Sequence, residues 1–144
     1  MKRTLAVAAV ALALAAAAHA EGLDVIQVRQ SGQDLLLSDF AGIRAVVMLK
    51  GDVKTLQKPA LAMARWMKVF PDLFPPGSDK GDNTKALPAI WKNNAGFRKD
   101  AANFVEAADA LAEAAKSDDT AAMGQRIKAV GDACGACHHE FRAK

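Results

Sequence analysis

The chain has 144 residues, 51% of them hydrophobic and 24% charged, with a formal net charge of +3. That is the composition of one globular domain. It excludes a disordered or collagen-like chain, a multidomain enzyme and a polytopic membrane protein. The 2 cysteines, Cys134 and Cys137, stand too close together to frame a disulfide-stapled fold. Alanine is abundant and tyrosine absent, a bias toward helix.

Residues 1–20 read as a secretory signal peptide. Met1-Lys2-Arg3 is a short basic start, Leu5 to Ala18 is an uncharged apolar run, and Ala18-His19-Ala20 is a small-residue cleavage site. The run is too short for the ~20 residues that cross a bilayer. Cleavage leaves residues 21–144 as the mature domain. It removes Lys2 and Arg3 and brings the net charge of +3 down to about +1. No basic stripe interleaved with aromatics remains, so no nucleic-acid partner is expected. After cleavage no membrane association is expected either, and the expected location is the periplasm.

The mature chain reads as four helices. The first covers about residues 23–50. Its apolar face carries Val25, Val28, Gly32, Leu35, Leu36, Phe40, Ile43 and Val47 at steps of three and four, and Gly51-Asp52 ends it. The second covers about residues 58–70, with Pro59 in its first turn. A long irregular connection follows, rich in Pro and polar residues. A third helix starts near Pro88 and runs to about Lys116. Ser117-Asp118-Asp119-Thr120 then offers capping residues for a fourth that reaches about Arg142. No segment alternates with period two for long enough to be a strand. The expected fold is an all-α, antiparallel four-helix bundle.

Near the C-terminus, Cys134-Gly135-Ala136-Cys137-His138 forms a C-x-x-C-H signature, the attachment motif for c-type haem. Two thiols at this spacing reach two vinyl groups on one porphyrin edge, and the next residue offers an imidazole to the iron. The small Gly135 and Ala136 let a macrocycle lie close to the backbone. Three other readings compete. A redox dithiol belongs at a helix start in a strand-containing fold. A zinc site would need His138 and His139 together, yet they point about 100° apart on a helix. A disulfide across two helical residues would be strained. One covalent haem c, bound by Cys134 and Cys137 with His138 as metal ligand, is the expectation. It places the haem near the C-terminal end of the fourth helix, and His139 reads as a rim residue.

A C-terminal C-x-x-C-H after three helices resembles the class II c-type cytochromes, cytochrome c′ and cytochrome c-556. The run from Ala129 to Arg142 resembles that family's haem helix. Pro88-Ala89-Ile90-Trp91 with Phe97 resembles the start of its third helix, Leu73-Phe74-Pro75 the connection after its second, and Val28-Arg29-Gln30-Ser31 its first helix. The resemblance implies that Arg29 lies near a haem propionate and that Trp91 and Phe97 line the pocket. It also implies that Arg142 biases the imidazole electronically. The alternative for Arg29 is a solvated helix charge, and for Trp91 and Phe97 ordinary core.

The resemblance further implies that a first-helix residue faces the iron on the distal side. Counting back from the Lys50-Gly51 turn puts that residue at Leu35, with Leu36 its neighbour if the register shifts by one. Neither has a donor atom. A five-coordinate iron follows, binding small diatomic gases (NO, CO), undergoing one-electron redox change, or both. A low-spin, methionine-ligated electron carrier of the c-556 type is the alternative, with Met67 the candidate sulfur. No catalytic constellation is present, so an enzyme is not expected, slow NO turnover aside. Redox partner proteins are not specified. Ile43, Val46, Val47, Met48 and Leu49 give the first helix more apolar surface than one core face needs, which points to a homodimer.

Overall fold

Asp24 starts the first helix: its carboxylate accepts from the N–H groups of Ile26 and Gln27, at 2.9 and 3.3 Å. The structure, a computed structural model, describes residues 24–144. The expected signal peptide (residues 1–20) and Leu23 lie outside them. Five helices follow in chain order: α1 (Val25–Met48), α2 (Gln57–Val69), α3 (Ala89–Lys92), α4 (Asn94–Lys116) and α5 (Thr120–Phe141). Two 3-10 turns, Val53–Leu56 and Phe70–Leu73, flank α2. The four long helices build the expected four-helix bundle. Among the described residues no helix is long and apolar enough to cross a membrane.

The third helix differs from the expectation: it is broken at Asn93, leaving the single turn α3 before α4. Asn93 sits at φ −120°, ψ 54°, and its side-chain oxygen accepts from the N–H of Gly96 at 3.1 Å. Asparagine competes with the helix for backbone hydrogen bonds and starts a new one as its cap. Gly96 leaves room for the Asn93 side chain, which a Cβ there would push aside.

Alanine sets the packing at one end of the bundle. Ala60, Ala108, Leu111, Ala115, Met123 and Val130 have no exposed area. Small side chains let the axes approach, within a range of ~8–10 Å set by the residues at the contact. Elsewhere a glycine does the same work. The Trp66 ring lies directly on Gly32 of α1, where any Cβ would collide with the indole.

The connection from residue 74 to residue 88 is irregular but pinned at both ends. Arg29 reaches out of α1, donating from Nη1 to the Leu73 carbonyl and Ser78 Oγ, and from Nη2 to the Ser78 carbonyl, at 2.8–3.0 Å. Farther on, the Leu87 N–H donates to the Phe141 carbonyl at 3.0 Å. The Ala143 N–H donates to the Lys85 carbonyl at 2.8 Å. Ala86 and Arg142 thereby form an isolated antiparallel bridge, the only strand-like pairing among the described residues.

Candidate haem site

A cavity of about 590 Å³ opens between the N-terminal half of α1 and the C-terminal half of α5. Leu36 and Arg29 of α1, Met67 of α2, Phe70 and Phe74 beyond it, Phe97 and Asp100 of α4, and Phe141 of α5 form its walls. Phe97 meets Phe74 and Phe141 edge to face, with centroids 4.9 and 5.3 Å apart. These rings give flat, rigid, apolar walls. The volume lies within the ~300–1,000 Å³ of typical ligand pockets.

Cys134, Cys137 and His138 all line this cavity. They sit together because residues three and four apart on a helix share a face. Both thiols are unbridged and partly buried. Burial, followed by the charges of Asp100, Cys134 and Glu140, pushes the Cys137 thiol up to about 12, and burial also raises that of Cys134. Burial lowers the His138 pKa, and the Arg142 charge lowers it further. That favours the neutral imidazole, the form that ligates a metal. His139, one position on, is absent from the cavity wall.

Arg29 is only 4% exposed and lies on the cavity wall, with its guanidinium carbon 4.2 Å from the centre of the Phe74 ring. A solvated helix charge is thus ruled out. Burial lowers its pKa while Asp24 opposes the change. The acceptors that hold it are carbonyls and hydroxyls, all neutral. An anionic group entering the cavity would meet a fixed cation. Arg142 is exposed at the cavity mouth, one turn past His138.

Leu35 is a correction. It is 70% exposed and takes no part in the cavity, whereas Leu36 is 7% exposed and forms part of its wall. One position on a helix is a rotation of about 100°. The buried stripe of α1 is Ile26, Arg29, Leu36 and Ile43, so Leu36 lies two turns from Arg29 and two from Ile43. Counting from the Lys50-Gly51 turn missed this by one residue. The heptad spacing between Arg29, Leu36 and Ile43 is the signal that would have found it.

Trp91 is also displaced from its expected role. Its Nε1 donates to the Phe74 carbonyl at 3.0 Å, and its ring packs behind Phe74 rather than on the cavity. Phe97 is on the wall as expected. Asp100, which no sequence signal singled out, lies there too, near enough for its charge to act on Cys137. The donor set fits a covalent haem: two unbridged thiols on one edge, the next residue an imidazole, aromatic walls and a buried cation.

Comparison with known proteins agrees. The chain matches the family described as Cytochrome C' over residues 24–142. It is 34% identical to cytochrome c' of Rubrivivax gelatinosus across 84% of this chain and 95% of that one. A crystallised cytochrome c' with an unusual ligand-controlled dimer dissociation is similar with a TM-score of 0.78 and 29% identity, covering 84% of this chain and 95% of that chain. The nitric oxide complex of a leucine-to-alanine mutant of cytochrome c prime from Alcaligenes xylosoxidans gives 0.74 and 28%, covering 84% of this chain and 94% of that chain. On its fold, its paired thiols with the adjoining imidazole, and these matches, the chain belongs to the cytochrome c′ family and carries one covalently attached haem c.

Proposed function

We propose that the protein is an exported, periplasmic haem protein that binds small diatomic gases (NO, CO) at an open axial position and changes redox state by one electron. It is a binding protein rather than an enzyme. When bound, the haem supplies an iron that takes a diatomic ligand and gains or loses one electron. The protein's own residues do the rest. Cys134 and Cys137 provide the thioether sulfurs, and His138 provides the proximal nitrogen. Arg29 offers its cation to a propionate, and Arg142 bears on the imidazole from one turn away.

The observation that carries this reading is Leu36. Apart from Arg29, it is the one α1 residue on the cavity wall that is buried, and its side chain has no lone pair. It supplies bulk without ligation, so it admits a two-atom molecule more readily than a larger one. The relative from Alcaligenes xylosoxidans, solved with nitric oxide, supports this ligand class. Of the apolar set expected to face a second copy of the chain, Met48 and Leu49 are exposed at the end of α1, whereas Ile43 is buried in the core.

A methionine-ligated electron carrier is the second reading, because Met67 does reach the cavity wall. Absorption spectra of oxidised and reduced protein, with and without carbon monoxide, separate the two. The open-site reading expects a high-spin reduced form that takes carbon monoxide freely. A methionine–iron charge-transfer band in the oxidised protein would overturn it and make Met67 the ligand to test. His138→Ala should alter axial ligation, while His139→Ala leaves the spectrum intact.

A further inference from the structure

The four residues that follow His139 are each tied to one short stretch of chain, residues 85–93. Asn93 Nδ2 donates to Glu140 Oε1 at 2.7 Å. The Leu87 N–H donates to the Phe141 carbonyl at 3.0 Å, Ala86 bridges Arg142, and the Ala143 N–H donates to the Lys85 carbonyl at 2.8 Å. A helix C-terminus ordinarily frays, since its last carbonyls lack helical partners. Here it is held by a bracket from outside the helix. The bracket itself is anchored, because Asn93 caps α4 through its other amide atom.

Asn93 joins the bracket to α5 through its side chain, and its position is over-determined. Its oxygen serves Gly96, its nitrogen serves Glu140, and Gly96 lacks the Cβ that would displace it. The α4 cap needs only the oxygen. The donation to Glu140 is additional, and it falls on the turn that presents His138 to the cavity.

We propose that Asn93 is a positioning residue: through Glu140 it holds the last turn of α5 in place, so that His138 keeps its bond to the iron when a diatomic ligand binds on the opposite side. The inference rests on the gas-binding reading above. Nitric oxide at one axial position weakens the bond to the ligand across from it. Departure of His138 that carries its helical turn with it stretches the bracket. The departing imidazole leaves as a neutral base, and no other bond changes.

Asn93→Ser tests this in the holoprotein. Serine caps a helix as well as asparagine does, but it has no nitrogen to offer Glu140. Glu140→Ala removes the same contact from the other side, and Glu140→Gln retains the accepting oxygen. The ferrous nitric oxide complex is read by electron paramagnetic resonance, which separates six-coordinate from five-coordinate iron. The five- to six-coordinate ratio should rise about fivefold in N93S and E140A, the factor one net hydrogen bond carries. E140Q should stay near the wild type, and the double variant N93S/E140A should go no further than either single change. Amide hydrogen exchange across residues 138–143 should quicken in the same two variants. An unchanged ratio in N93S and E140A overturns the inference alone, as does a wild type that is wholly five-coordinate. Absence of any nitric oxide or carbon monoxide adduct overturns the functional reading, and this inference with it.

Discussion

The two ends of the bundle are built from the same four long helices and come to opposite results. At one end, the second half of α1 meets the start of α2, the last turns of α4 and the first half of α5. Ile43, Leu56, Ala60, Met63, Ala108, Leu111, Ala115 and Met123 fill the space there to 3% exposure or less. At the other end, Phe70, Phe74, Phe97 and Phe141 line a cavity instead of filling it. Alanine brings helices together; phenylalanine rings, stacked edge to face, stand as walls and hold them apart. Side-chain size along each helix thus divides the molecule into a closed half that carries stability and an open half that carries chemistry.

The largest expected effect falls on the open half. Replacing both Cys134 and Cys137 by alanine should abolish covalent haem. Acid-acetone extraction, which leaves the wild-type haem in place, should then remove whatever remains. Ligand binding and folding are linked, so the double variant should also melt at lower temperature. Wild-type haem that extracts freely would contradict the thioether attachment.

The closed half answers to a different measurement. Leu111 has no exposed area and sits among alanines that cannot move in to fill a gap. Leu111→Ala should cost about 3–4 kcal/mol in denaturant unfolding, within the ~2.7–5.0 kcal/mol range for buried leucines. The haem spectrum should not change. A spectral shift would mean that the two halves are less independent than their packing indicates.

Arg29 lies where the halves meet the long connection, and its removal should have an intermediate effect. Arg29→Met keeps most of the bulk but leaves the Leu73 and Ser78 carbonyls without their donor. Unsatisfied buried acceptors cost about 1–3 kcal/mol. The loss should appear in stability and as looser protection of residues 74–84 in hydrogen exchange, while the cysteine linkage survives.

Much of this was legible in the sequence, for physical reasons that also mark where legibility stops. The haem motif is local: Cys134, Cys137 and His138 share a face by helical spacing alone, so five residues sufficed to place them. Four helices follow from long periodic segments. The break at Asn93 was not legible, because it depends on a side chain bonding to Gly96 and to Glu140, 47 residues away. The burial of Arg29 was not legible either, since its partners Leu73 and Ser78 come from a connection without periodicity. The distal residue failed on register: Leu35 and Leu36 are both leucine, and only the stripe through Arg29 and Ile43 tells them apart.

That last distinction gives the smallest and most selective test. Leu36 and Leu35 are neighbours of identical chemistry, one on the cavity wall and one 70% exposed. Leu36→Ala should widen the space beside the gas site and speed carbon monoxide association by about tenfold, equivalent to roughly 1.4 kcal/mol off the barrier. Leu35→Ala removes the same atoms from the outer face of α1 and should leave that rate unchanged. Flash photolysis of the carbon monoxide complex measures both. A faster Leu35→Ala beside an unaltered Leu36→Ala would rotate α1 by one residue, about 100°, and remove Leu36 from the gas site. Equal rates in both variants and the wild type would mean that entry is limited elsewhere on the cavity wall, with Met67 the next residue to truncate.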